Sequence, residues 1–235
     1  MIERLKSYTK FLSVLLLLGV TNCATKRDPI PFNGLCFEKP SAVVIAEISG
    51  FDKAKYFKEG DQGFLDVLIN DFFASSLNKR LERIDAKPIM NERFYEFFAK
   101  RFQENNFKVI KCPHPLNRKD LSSIDKANYA PYDFMFLREK YEAEYALIVE
   151  PKSFGLTRNY YGFIPTSAPY GHVSLLVYLV RLEDNSLEAY YMGAFNGAVN
   201  GDWDTPPEYA GLMTAVEDTL KTALNGSHQH FFNEI

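Results

Sequence analysis

The chain opens on a cationic stretch, Arg4, Lys6 and Lys10, followed by an almost unbroken apolar run from Phe11 to Val20. That run is about ten residues long, half of the roughly 20 needed to cross a bilayer as a helix. Cationic start and short apolar core are the layout of an export signal rather than a permanent span. From Thr25 to Asn33 (TKRDPIPFN) periodicity disappears, which predicts a polar tether. Ala42 to Ile48 (AVVIAEI) is apolar throughout over the length of one strand and predicts a buried one. Phe64, Leu65, Leu68, Phe72 and Leu77 then recur at helical spacing behind a capping Asp61. They predict a helix over 61–83 that Lys87-Pro88 breaks. A second helix is predicted over 91–105, with Phe94, Phe97, Phe98 and Phe102 on one face, and a second strand over 107–112 (FKVIKC).

Residues 114–130 read as loop, and Asp133 caps a short helix carrying Phe134, Phe136 and Leu137. YALIVEP, 145–151, is another apolar strand. Residues 172–182 and 187–199 form two more, separated by the turn residues Glu183, Asp184, Asn185 and Ser186, which predicts an antiparallel hairpin. In the last helix Thr205 is the cap, Pro206 the first helical residue and Glu208 the partner in a T-x-x-E box. Tyr209, Met213, Val216, Leu220 and Leu224 are its stripe, and Asn225-Gly226 its end. The order β-α-α-β-α-β-β-β-α predicts an α/β (α+β) fold: a single layered domain over 41–235, with a mixed sheet flanked by helices.

Composition narrows the function. A chain that is 46% hydrophobic and 15% aromatic folds. A net charge of −3 without a Lys/Arg cluster argues against nucleic acid. No nucleophile elbow, H-E-x-x-H or P-loop is present, so no catalytic site and no cofactor is assigned. Of the four histidines, His114 lies between two prolines and His172 at a strand start, read as a hydrogen-bonded structural residue. His228 and His230 sit in the tail, solvated rather than metal-binding. Asp202, Asp204 and Glu208 are read as loop solubility and helix cap, so no metal site is assigned either.

The apolar core runs into a lone cysteine, Cys23, after Val20, Thr21 and Asn22. This resembles a bacterial lipoprotein signal, in which the cysteine is acylated and becomes the first residue; the pattern prefers Gly, Ala or Ser where this chain has Asn22. The resemblance implies a signal peptide over 1–22, a lipidated Cys23 with its tether over 23–40, and periplasmic residues beyond. Ala24 after the cysteine implies sorting to the outer membrane, on its periplasmic face. The removed segment carries three cations and one carboxylate, so the mature 213 residues carry −5. Of the remaining cysteines, Cys36 and Cys112 either pair in an oxidising compartment or stay apart at opposite strand ends.

The element order, the helix leading into YALIVEP and the hairpin HVSLLVYLVRLEDNSLEAYYMGAF resemble a periplasmic domain. It is shared by the TolB N-terminal region, the lipoprotein activators of peptidoglycan synthases and the curli secretion lipoprotein. Where the synthase activators carry an Asn-Thr-rich segment after the first strand, this chain has FDKAKYFKEG.

The segment 159–171 (NYYGFIPTSAPYG) links two predicted strands yet carries Tyr160, Tyr161, Phe163, Ile164 and Tyr170. An aromatic-rich surface connection either folds over the sheet or marks a contact surface, and Trp203 in the neighbouring connection extends it. These residues are the candidate site for an envelope-protein partner in an assembly, secretion or wall-synthesis machine. The alternative is a small-ligand carrier, which requires a deep apolar pocket.

Overall fold

The computed structural model describes residues 27–39, 41–51, 53–60, 77–162, 164–201 and 209–232. Seven strands form one mixed, open sheet: β1 (Ala42–Glu47), β2 (Lys55–Glu59), β3 (Lys108–Lys111), β4 (Tyr145–Tyr161), β5 (Ile164–Pro165), β6 (Tyr170–Arg181) and β7 (Ser186–Ala198). The main order is β3-β1-β4-β6-β7. Pairing is parallel among β3, β1 and β4 and antiparallel from β4 through β6 to β7. The α+β reading of the sequence holds.

Beta4 is the spine of the sheet. Its first half pairs with β1 over Tyr145–Val149, and its second half pairs with β2 over Gly155–Asn159, so two strands share one edge. The sequence reading ended this strand at Pro151 and left FDKAKYFKEG without a strand. Neither KSFGLTRNYY nor KYFKE alternates cleanly, so the strands are made by pairing with each other. Gly155 permits the approach, because a Cβ there would strike the Lys55 backbone.

Alternation along the strands sends Val43, Ile45, Leu147, Val149 and Val177 to one face. There α1 and α3 cover them. Helix α1 runs from Lys87–Met90 through a π-helical stretch, Asn91–Tyr95, into Glu96–Glu104, and α3 is Ala210–Phe231. Val44, Ala46, Ile148, Tyr178 and Val180 point the other way, under the 112–141 segment with its short helix α2 (Phe136–Tyr141). Both faces are apolar where both are covered, which accounts for the unbroken AVVIAEI and YALIV runs. Phenylalanine supplies much of the helical layer: Phe94, Phe98 and Phe102 of α1 are fully buried, and Phe98 lies 5.7 Å from Phe231 and 5.5 Å from Phe232. Phe97, read with them, lies off this stripe and is exposed.

Several predicted boundaries move. The predicted 61–83 helix is described only at 77–81. Helix α1 begins at Lys87, with Pro88 in its first turn, where a missing N–H costs nothing. Thr205, Pro206 and Glu208 lie outside the described residues; α3 begins at Ala210, after a left-handed Tyr209 (φ 49°). It also continues past Asn225-Gly226 to Phe231. Gly226 is there for packing: a Cβ would lie 2.7 Å from the Phe195 ring. The tail histidines are therefore helical. His228 packs against Phe97, Phe98 and Phe232, and His230 stacks on Tyr191 at 5.4 Å. Among the described residues no helix is long and apolar enough to cross a membrane.

Candidate functional site

The predicted aromatic connection is a β-hairpin tip. Tyr160 pairs with Pro165 and Tyr161 with Ile164 across a turn at Gly162 (φ 59°). Side-chain bonds brace the turn from below. Arg158 Nε donates to the Ser167 carbonyl at 2.8 Å, the Asn159 N–H donates to Ser167 Oγ at 3.0 Å, and the Thr166 N–H donates to the Asn159 carbonyl at 2.9 Å. Its summit stands clear of the core. Tyr161 is 72% exposed and Ile164 is 55% exposed, two large apolar side chains held side by side on a fixed scaffold.

The other predicted residues separate. Tyr160 faces inward, sharing a 2.8 Å hydrogen bond with Tyr56, and Arg158 lies over its ring at 6.0 Å. Burial and that bond push the Tyr56 phenol well above its ordinary value. Tyr170 opens β6 opposite Thr157, half-buried, its phenol raised by burial and by Glu59. Phe163, Trp203 and Cys23 lie outside the described residues.

Below the tip the sheet has a half that the 112–141 layer does not reach. Register places Thr157, Gly155 and Ser153 of β4 beside Tyr170, His172 and Ser174 of β6, and these beside Ala198, Asn196 and Ala194 of β7. Small and polar side chains replace the Ile, Val and Tyr of the covered half. His172 Nδ1 hydrogen-bonds Asn196 Oδ1 at 2.7 Å, and its ring meets Phe57 edge-on at 6.3 Å, the structural role expected for it. The opposite face of the same half carries Gly171 and Gly197, on which α3 sits through Ala215 and Thr219.

A polar cluster that the sequence reading missed marks the boundary between the halves. Glu150 is fully buried, yet Arg118 Nη2 (3.0 Å) and Lys152 Nζ (2.8 Å) both donate to its Oε1. Tyr132 donates to Oε1 at 3.5 Å and Tyr178 to Oε2 at 3.4 Å. Burial, then Glu150, raise both phenols. Arg118 also donates to the Pro151 carbonyl, at 3.2 Å, so the cluster clamps the 112–132 segment to a bulge in β4. With both oxygens engaged, it is a structural clamp. Its only trace in the sequence is one carboxylate inside an apolar run.

Cys36 and Cys112 are free thiols, each buried in the hydrophobic layer on a different face of the sheet. The pairing left open by the sequence does not form, because β1 and its neighbours lie between them. Burial, with Glu188 nearby, pushes Cys36 up to about 12, whereas Cys112 donates to the His114 carbonyl at 3.2 Å. Among the described residues no three His, Cys, Asp or Glu side chains gather as a metal site.

No protein-family model and no curated protein sequence matches the chain. Solved structures do align with it. Lipoprotein GNA1162 from Neisseria meningitidis aligns at 11% identity and a TM-score of 0.34, over 78% of this chain and 99% of its own. XCC0632 from Xanthomonas campestris aligns at 10% and 0.37, over 89% and 93%. A putative neuraminyllactose-binding hemagglutinin homolog from Helicobacter pylori aligns at 11% and 0.30, over 90% and 88%. Likeness this loose says nothing about what the chain does.

Proposed function

We propose that this chain is a lipid-anchored protein of the bacterial envelope, held by Cys23 on the periplasmic face of the outer membrane. Its domain holds another envelope protein in an assembly, secretion or wall-synthesis machine and catalyses no reaction. The Phe11–Val20 run ending at Cys23 supports the anchor. The observation that carries the binding role is the hairpin tip: Tyr161 and Ile164 paired, braced and exposed. Isolated apolar side chains on a surface are ordinary; a rigid pair at the summit of a hairpin costs little entropy to dock. A carrier needs a deep apolar pocket. One cleft of about 630 Å³ mixes the charged side chains of Arg27, Asp28, Asp125 and Lys126 with Ile30 and Leu187, and is not an apolar pocket of that kind.

The test combines a palmitate analogue with photocrosslinking in cells. Label and membrane retention lost together in Cys23→Ala establish the anchor; an unlabelled wild type removes it. A photoreactive residue at Tyr161 that captures one defined envelope protein supports the contact. Equal capture from a control position on exposed α1, such as Lys100, refutes it.

A further inference from the structure

The last strand of the sheet ends in an edge that no other strand among the described residues covers. Among the described residues, the outer side of β7 is occupied at its start, where the Leu187 N–H donates to the Asn128 carbonyl and Tyr190 exchanges two hydrogen bonds with Ile30. Those two bonds set the phase: Tyr190 points its backbone groups outward, and so, by the two-residue period of a strand, do Met192, Ala194, Asn196 and Ala198. Among the described residues no strand pairs with them. Sheet proteins guard such an edge with charge, proline or a bulge. From Ala189 to Gly201 (AYYMGAFNGAVNG) there is no charged residue and no proline, and the bulge in β7 lies below this stretch, beside Leu187. Met192 stands 45% exposed, with small Ala194 and Ala198 on the same side.

We propose that this edge pairs with the same edge of a second copy of the chain, antiparallel, about a two-fold axis at Phe195. That register sets Ala194 opposite Asn196 and Met192 opposite Ala198, and it satisfies the N–H and C=O of all four outward residues. Charge selects the occupant. The chain is net acidic, so an edge shared by two copies is held best where neither brings a charge. A strand free of charge along its whole outer half meets that condition against itself. Alanine and glycine also let two sheets continue into one without collision, and the isologous patch closes at two copies. The proposal is independent of the hairpin tip and of the lipid anchor.

Light scattering on the full chain in a nonionic detergent reads the assembly. The wild type is expected as a dimer. Ala194→Lys with Asn196→Lys sets like charges opposite each other twice and is expected to give a monomer that still melts cooperatively, lowered only by loss of the His172–Asn196 hydrogen bond. Ala194→Lys with Asn196→Glu sets opposite charges in the same places and restores the dimer. Asn196→Cys, made in Cys23→Ala, is expected to crosslink to its copy through a short bismaleimide. A wild type that stays monomeric to its solubility limit overturns the proposal. So does a double-lysine variant that still dimerises, since another surface then holds the copies. Misfolding of the lysine variant would show in the melt, and the charge-swapped pair and the crosslink then decide.

Discussion

Glu150 is the residue whose surroundings most constrain it. Its two cations reach it from half-exposed positions, so neither loses all its hydration. Glu150→Ala removes the acceptor for the buried Tyr178 hydroxyl and leaves a void, and is expected to cost about 3 kcal/mol in urea unfolding. Arg118→Ala leaves Lys152 on the carboxylate and is expected to cost about 1 kcal/mol; equal losses would mean the cluster does not work as a clamp. Cys36 gives the molecule a pH signature. Its thiol sits near 9.0 when unperturbed and about 12 in the fold, so across that interval the native state holds a proton that the unfolded chain has released. Stability from this group is complete below pH 9 and falls as pH rises toward 12. Chemical unfolding followed from pH 8 to 11 is expected to show that fall, with a shallower slope in Cys36→Ala. The native thiol should also ignore thiol reagents until the chain unfolds.

Helix and sheet meet closely where α3 crosses the upper sheet on two glycines. A methyl at Gly197 would meet only the Thr219 hydroxyl at clashing distance, whereas one at Gly171 would also lie 2.6 Å from the Ala215 carbonyl oxygen. Gly197→Ala is therefore expected to cost about 2 kcal/mol and to recover most of it in combination with Thr219→Ala. Gly171→Ala should stay destabilised in that background, because backbone cannot be trimmed; a thermal-melt cycle reads both. This scale was also where the sequence misled. Asn225-Gly226 carries the composition of a helix end, but its glycine answers to the ring of Phe195, a residue far back in the chain on β7, and the helix runs on. The KYFKE strand has no pattern of its own, since it exists by pairing with the second half of β4.

Among the described residues, the 112–141 layer covers one half of its sheet face, and the hairpin tip projects beyond the other half. Because Tyr161 and Ile164 make no core contact, replacing both with serine is expected to shift the unfolding free energy by less than about 0.5 kcal/mol. With the photoreactive residue moved to exposed Thr166, the same variant should lose crosslinking to its partner, and a loss of both stability and capture would make the tip part of the fold instead. The sequence by itself determined several things: the layered α+β class, the β6–β7 hairpin and the aromatic segment as the place to look. Each depends on neighbours within a few positions, where periodicity and turn chemistry act. The tertiary structure alone decided that Glu150 is a clamp, that Cys36 and Cys112 lie across the sheet from each other, and that the aromatic connection stands up as a hairpin. It alone decided, too, that among the described residues the outer half of β7 has no strand beside it. Those outcomes depend on which segments meet across tens to more than a hundred residues, and the pattern of apolar and polar positions carries no record of such meetings.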